Sequence, residues 1–216
     1  THIRGILNSY KNGRIGGNVF FLNPYGIVVG ESGTLNVGSL TAITPTPEFM
    51  DDLIDPSGQV SRQGTQQVLA GSVPLTESGL VRVEGTVNAA KAVSARGGKI
   101  EVPTSGRINA GPRGRAQFDA LVNTEGLEDV DVSEPGEVSL SAEGNASVAG
   151  EIRVDGAADA GAEAALDAAV NGGRIAIEAE RDIAVPGMLS ARATAGEGAG
   201  GKVVVLAGRD ASLPEP

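Results

Sequence analysis

The fold is decided by the stretch Gly98-Lys99-Ile100-Glu101-Val102-Pro103-Thr104-Ser105-Gly106-Arg107-Ile108-Asn109-Ala110. Two short apolar alternations flank a turn that contains proline and glycine. In a strand, successive side chains point to opposite faces, so Ile100 and Val102 share one face and the charged residues take the other. Such a short strand is not stable alone and needs similar strands stacked on it.

The same pattern recurs with irregular spacing in residues 80–89, 136–140, 150–154, 173–177, 183–185 and 201–206. If successive units coil, the apolar faces fill the interior, and glycine or asparagine occupies corners where φ is positive. The sequence therefore predicts an all-β fold, a right-handed parallel β-helix (solenoid). About eight coils are expected, each ~4.8 Å from the next. Asparagines at strand ends are predicted to stack as a stabilising ladder, namely Asn8, Asn36, Asn88 and Asn109.

Composition supports a thin aliphatic core. The 216 residues include 32 glycines, four Phe, two Tyr, no Trp and no Cys. The absence of cysteine excludes disulfides and thiolate metal sites. A net charge of −10 argues against a nucleic-acid partner, which requires a basic surface. No apolar run approaches the ~20 residues that span a bilayer.

Three regions follow from the pattern: coils in 1–44, an excursion packed outside the coil in 45–79, and further coils in 80–216. The excursion begins with Pro-Thr-Pro and is expected to contain one or two helical turns, anchored by Phe49, Met50, Leu53 and Ile54. The Ala-rich residues 157–171 favour a short helix by propensity. Because the chain starts at Thr1 without a signal peptide, we expect a fragment whose targeting segment lies upstream.

The opening block is the most specific part of the sequence. It reads Arg14-Ile15-Gly16-Gly17-Asn18-Val19-Phe20-Phe21-Leu22-Asn23-Pro24-Tyr25-Gly26-Ile27-Val28-Val29-Gly30, followed by Gly33-Thr34-Leu35-Asn36-Val37. Over about the first 50 residues it resembles the two-partner-secretion (haemagglutination-activity) domain of filamentous haemagglutinin-type adhesins. Within that family it looks closest to the leukotoxin-like branch, which includes biofilm matrix adhesins.

The resemblance implies a recognition site. In the family, an Asn-Pro-Asn-Gly-Ile motif lies in the part of the domain that an outer-membrane pore partner recognises. The matching residues here are Asn23, Pro24, Tyr25, Gly26 and Ile27, with Tyr25 in place of the second asparagine. Pro24 restricts Asn23 to an extended conformation, so the motif also reads simply as a turn between two strands.

Parallel β-helices also include polysaccharide lyases and hydrolases, whose catalysis requires carboxylates that converge on one face. The candidates are Asp51 with Asp52, Glu178 with Glu180, and the group Glu128, Asp129 and Asp131. Nearby arginines favour a solvated charged surface at Glu178 and Glu180. The single histidine, His2, provides no catalytic triad or zinc site, and we predict no cofactor, no metal and no enzyme activity.

Three functions remain open. The first is a non-catalytic secretion-targeting and scaffold segment of a secreted or cell-surface adhesin, exported through the periplasm, whose partner is an outer-membrane transporter. The second is a carbohydrate-binding module for exopolysaccharide or a cell surface, with Tyr10 and Tyr25 as stacking platforms. The third is a polysaccharide lyase or hydrolase of the β-helix class. No nucleic-acid partner and no membrane insertion are expected.

Overall fold

The computed structural model describes residues 1–11, 14–54, 57–121, 135–156, 171–193 and 198–213. Within these ranges the chain forms nineteen strands and three helices. The first part contains β1 (His2–Ile3), β2 (Ile6–Asn8), β3 (Tyr10–Lys11), β4 (Arg14–Ile15), β5 (Asn18–Leu22), β6 (Ile27–Val29) and β7 (Thr34–Ile43). The middle part contains α1 (Pro47–Leu53), α2 (Arg62–Ala70), β8 (Leu80–Val83), β9 (Thr86–Gly97), β10 (Lys99–Val102) and β11 (Arg107–Ala110). The last part contains α3 (Pro112–Leu121), β12 (Glu137–Ala142), β13 (Ala146–Val148), β14 (Glu151–Arg153), β15 (Arg174–Ala179), β16 (Ile183–Ala184), β17 (Met188–Ser190), β18 (Lys202–Ala207) and β19 (Ala211–Ser212).

The strands wind into a parallel coil with three faces. The first face has the order β1-β6-β8-β10-β13-β16-β19. The second face runs β2-β7-β9-β11-β14-β17, and the third runs β5-β7-β9-β12-β15-β18. Strands β7 and β9 belong to both the second and the third face, because each is long enough to bend across the corner between these faces. The prediction of a parallel β-helix is confirmed.

The coil is shorter than the eight turns expected. The described residues form six complete coils and the first strand of a seventh. The excursion was already placed outside the coil, so it does not account for the difference. Helix α3 lies between β11 and β12, in the region 80–216 that was expected to continue as coils.

Aliphatic ladders fill the interior. Each inward position lies above its equivalent in the preceding coil, as Val87 does between Leu35 and Ile108. The inward alternations predicted from the sequence are confirmed, since these residues are all buried: Val81, Val83, Ile100, Val102, Ile175 and Ile177. Close packing of short aliphatic side chains explains why a core with so few aromatic residues is sufficient.

The predicted asparagine ladder is present on the second face. The Nδ2 atom of Asn36 donates to Oδ1 of Asn8 at 2.7 Å. Asn88 donates to Asn36 at 2.9 Å, and Asn109 donates to Asn88 at 2.9 Å. The next position in register is Arg153, where the ladder ends. Each buried amide therefore satisfies the one beneath it.

Corner glycines have two causes rather than one. We expected positive φ at the corners, and Gly26 has a φ of 112°. Others, such as Gly98 and Gly150, lack a positive φ in the left-handed range. A Cβ at Gly98 or Gly150 would overlap the backbone carbonyl oxygen of Glu77 or Gly106 in the preceding coil. Close approach of neighbouring coils is the reason for glycine there.

The excursion after β7 contains more helix than predicted. Thr46 caps α1, Ser61 caps α2, and Gly71 ends α2 in the left-handed conformation. The polar stretch that forms α2 shows no apolar periodicity, so the sequence pattern does not predict this helix. A small satellite core holds the excursion on the outer surface of the third face and consists of Ile43, Phe49, Leu53 and Val73, with Met50 packed against it. The prediction that Ile54 anchors this face is wrong, because Ile54 follows the end of α1 and is 44% exposed.

Helix α3 was not predicted. It follows β11 and packs against β9 and β11. Gly114 sits directly over the Ala89 carbonyl, where a Cβ would not fit. The predicted helix in 157–171 lies almost entirely outside the described residues.

Candidate functional site

The motif residues form one tight turn between β5 and β6. The Tyr25 amide donates to Oδ1 of Asn23 at 2.9 Å, and the Gly26 amide donates to the Asn23 carbonyl at 3.1 Å. Nδ2 of Asn23 donates to Oγ1 of Thr1 at 2.8 Å, and the Thr1 nitrogen donates to the Gly26 carbonyl at 2.8 Å. Pro24 limits the backbone between these bonds. The turn is therefore braced by its own asparagine and by the neighbouring segment.

Glycine is required at position 26 both by the backbone conformation and by the lack of space for a side chain. Its φ of 112° disfavours any side chain, and a Cβ would lie 2.9 Å from the Leu80 carbonyl oxygen of the next coil. Ile27, the last motif residue, is buried in the core and contributes no contact surface. Tyr25 is 89% exposed. The turn thus presents one aromatic side chain on a fixed backbone.

The two tyrosines lie at different corners. Tyr25 is between the third and first faces, whereas Tyr10 belongs to the β3–β4 hairpin between the second and third faces and is 56% exposed. The length of β5 therefore separates them along the coil.

The corner that begins with the motif turn continues as an acidic ridge, which sequence reasoning missed. In later coils it contains Glu77, Glu143 and Glu180, with an ion pair of 2.6 Å between Asp182 and Arg209. Burial, followed by the negative charges of Glu180 and Glu77, raises the pKa of Glu143. These glutamates are more than 35 residues apart in sequence, so only the coil brings them together. Glu143 precedes Gly144 and Glu77 lies two residues before Gly79, but Glu180 has no glycine near it in sequence, so no local signal shared by the three predicts the ridge.

The raised pKa of Glu143 predicts a pH effect on stability. Its folded pKa lies above the ordinary value of 4.5, so the folded state holds the proton longer than the unfolded state. Stability should therefore fall as pH rises from 4.5 through the folded pKa. Because Glu143 is only half-buried and solvent screens its charge, Glu143→Gln should stabilise the protein at pH 7 by only about 0.5 kcal/mol.

Urea unfolding at a series of pH values measures this effect. The matched control is Glu31→Gln, since Glu31 is exposed at a different corner. An unchanged pH profile in Glu143→Gln would contradict the prediction.

Within the described residues, the two carboxylate pairs considered for catalysis lie on separate elements, α1 and the end of β15. Asp51 and Asp52 lie exposed on α1, while Glu178 and Glu180 lie exposed at the third face and its corner. The group at 128–131 lies outside the described residues. Across the part of the chain that the structure describes, no three His, Cys, Asp or Glu side chains are grouped to hold a metal. The helices described are all too short or too polar to cross a membrane.

The fold defines a class, a parallel β-solenoid with a braced, exposed turn between its first two coils. A family model, the TPS secretion domain, matches residues 1–185. The chain belongs to this family, and the match extends well beyond the first 50 residues that carried the resemblance. Searches of curated proteins and of solved structures returned no significant match.

Membership of this family assigns a general role to the chain. The chain is a secretion-targeting segment of a two-partner-secreted protein, and its partner is an outer-membrane transporter. Proteins with this domain are secreted across the outer membrane, and the domain family is non-catalytic.

Proposed function

We propose that the turn Asn23-Pro24-Tyr25-Gly26 is a direct contact for the transporter, with Tyr25 as its anchor. The observation that carries this proposal is an almost fully exposed aromatic side chain on a braced turn. Tyrosine is favoured as an interface anchor because it gives a large contact area with few rotatable bonds. Burying it costs little entropy, because the backbone beneath it is already ordered.

The local nature of the turn supports recognition before folding is complete. Two of its hydrogen bonds join residues within four positions, Tyr25 to the Asn23 side chain and Gly26 to the Asn23 carbonyl. Such an Asx-type turn forms without distant parts of the chain. The motif can therefore display Tyr25 even while the rest of the chain is unfolded for export.

Tyr25→Ala should weaken binding of the chain to the periplasmic portion of its transporter by about tenfold or more, as expected for an interface anchor. The matched control is Tyr10→Ala, which removes an exposed tyrosine at another corner. Binding is measured by pull-down and titration with both variants, and thermal unfolding checks that each remains folded.

Equal affinity of Tyr25→Ala and the unaltered chain would contradict the proposal. A second variant, Asn23→Ala, removes the side chain that braces the turn without removing the anchor. It should weaken binding less than Tyr25→Ala, because the anchor remains but is less well fixed.

We further propose that the parent protein is a secreted or cell-surface filamentous adhesin of the leukotoxin-like branch, active in adhesion, aggregation or biofilm formation. Two features support this: the sequence of residues 14–37, and a coil that lengthens by stacking similar units into a rod. Deleting the parent gene should reduce cell aggregation and biofilm mass. Unchanged aggregation and biofilm mass would count against the adhesin role but not against the role of the chain in secretion.

Besides the transporter, exopolysaccharide is a second candidate binding partner. The exposure of Tyr10 and Tyr25 favours it, although their separation limits each to an isolated contact. A glycan pull-down with the double variant Tyr10→Ala/Tyr25→Ala tests it, and retention equal to that of the unaltered chain would exclude the two tyrosines as platforms.

A further inference from the structure

The excursion is not needed to close the corner at which it leaves the coil. Residues 44–79 connect β7 to β8, whereas the single residue Gly98 connects β9 to β10 at the same corner of the next coil. In the two coils that follow, residues 143–145 and 180–182 make this connection. The coil therefore turns the corner with a few residues, and the excursion is an added element with packing of its own.

Hydrogen bonds between its two ends close the base of the excursion. The Thr46 amide donates to the Pro74 carbonyl at 3.0 Å, and the Thr76 amide donates to the Thr44 carbonyl at 2.9 Å. Oγ1 of Thr76 donates to the Pro45 carbonyl at 2.7 Å. The chain thus returns to the coil beside the point where it left, and the base stays closed whatever the position of the helices above it.

The excursion has a core separate from that of the coil. In the satellite core and the side chains packed against it, Ile43 and Leu22 come from strands of the coil. The others belong to the excursion and are Phe49, Met50, Leu53, Val68, Val73 and Leu75. Within the described residues, no side chain belongs to both this cluster and the main core. A small, separate core opens at a lower free energy than the stacked ladders of the coil.

Strand β9 supplies polar contacts that hold the excursion against the coil. The Arg96 carbonyl accepts from the Thr44 amide at 3.0 Å, and the Arg96 guanidinium donates to the carbonyl of Gly71, which caps α2. A cation is favoured at a helix C-terminus, where carbonyl groups lack partners within the helix. Because β9 follows the excursion in the sequence, both bonds require β9 to be stacked on β7.

We propose that the excursion is a strap, latched by Arg96, that closes after the third coil has formed and opens again while the coil stays folded. The order follows from the position of the latch on β9, which completes that coil. Helices α1 and α2, of seven and nine residues, are too short to persist before they dock. Independent opening follows from the separate core and the closed base.

Native-state hydrogen exchange of the 216-residue chain in low concentrations of urea tests independent opening. The Met50 and Thr65 amides, bonded within the excursion, should exchange at least about tenfold faster than the Thr86 and Arg107 amides, which are bonded between coils. One common rate for the two groups, with the same dependence on urea, would show a single cooperative unit and overturn the proposal.

Arg96→Met tests the latch and keeps a side chain of similar length. Exchange of the excursion amides should accelerate about tenfold, because a hydrogen bond from a charged group is lost, while the coil amides should not change. The matched control is Arg174→Met, since Arg174 lies on the same face but pairs with Glu137 of the coil. The proposal fails if the excursion amides do not respond to Arg96→Met, or respond equally to Arg174→Met.

Pulse labelling of amides during refolding from urea tests the order of closure without any substitution. The Thr86 amide, at the start of β9, should become protected before the Met50 and Thr65 amides of the excursion. Protection of the excursion first, or of both regions in one step, would contradict a strap that waits for the third coil.

Discussion

Val37→Asp should destabilise the protein by about 3–5 kcal/mol, because it places an unpaired carboxylate in a dry core. Val37 is fully buried in the second coil, above which every later coil stacks. For a chain of this size the loss corresponds to a fall in the unfolding temperature of roughly 10–15 °C. Circular dichroism on heating measures it.

The same substitution tests whether folding outside the cell helps to drive export. If early coils template later ones, Val37→Asp should also reduce the amount of full-length parent protein in the medium. The matched control is Val60→Asp, since Val60 is 61% exposed in the excursion. Unchanged secretion of a demonstrably destabilised protein would separate folding from export and reject the link.

Asn88→Ala should cost about 3 kcal/mol, although it removes only one amide. Asn88 is the middle of the ladder, so its loss leaves Oδ1 of Asn36 without a donor and Nδ2 of Asn109 without an acceptor. Each unsatisfied buried group costs about 1–3 kcal/mol. Urea unfolding measures the change in free energy.

Asn8→Ala is the control for the ladder. Asn8 accepts one ladder bond and is only half-buried, so its removal should cost about 1 kcal/mol. If Asn8→Ala and Asn88→Ala prove equally costly, the ladder does not act as a chain of mutually satisfied amides.

The local sequence pattern was sufficient to predict the coil. The alternation at Ile100 and Val102 gave the inward face, because strand geometry fixes the direction of each side chain without reference to the rest of the chain. The ladder at Asn36 and Asn88 was also predictable, since equivalent residues of successive coils must stack. The turn at Asn23 and Pro24 followed from local chemistry as well.

The elements that were missed depend on distant contacts. Helix α2 has a polar sequence and is held by packing against α1, where Gly64 lies over Leu53, and by Val68, which packs against the satellite core. Ile54 looked like a core residue, yet the end of α1 turns it outward. Glu77 and Glu180 become neighbours of Glu143 only because the coil returns to the same corner.

The sequence by itself determined the short strands, the inward residues and the turn at Asn23 and Pro24, because each of these arises from bonds and side-chain directions within about ten residues. The bonds from Thr1 that brace this turn come from the coil. Only the tertiary structure decided how many coils the described residues form and where the excursion packs. Those features depend on where the chain lies relative to itself after each full turn, and small variations in the length of each repeat determine that position.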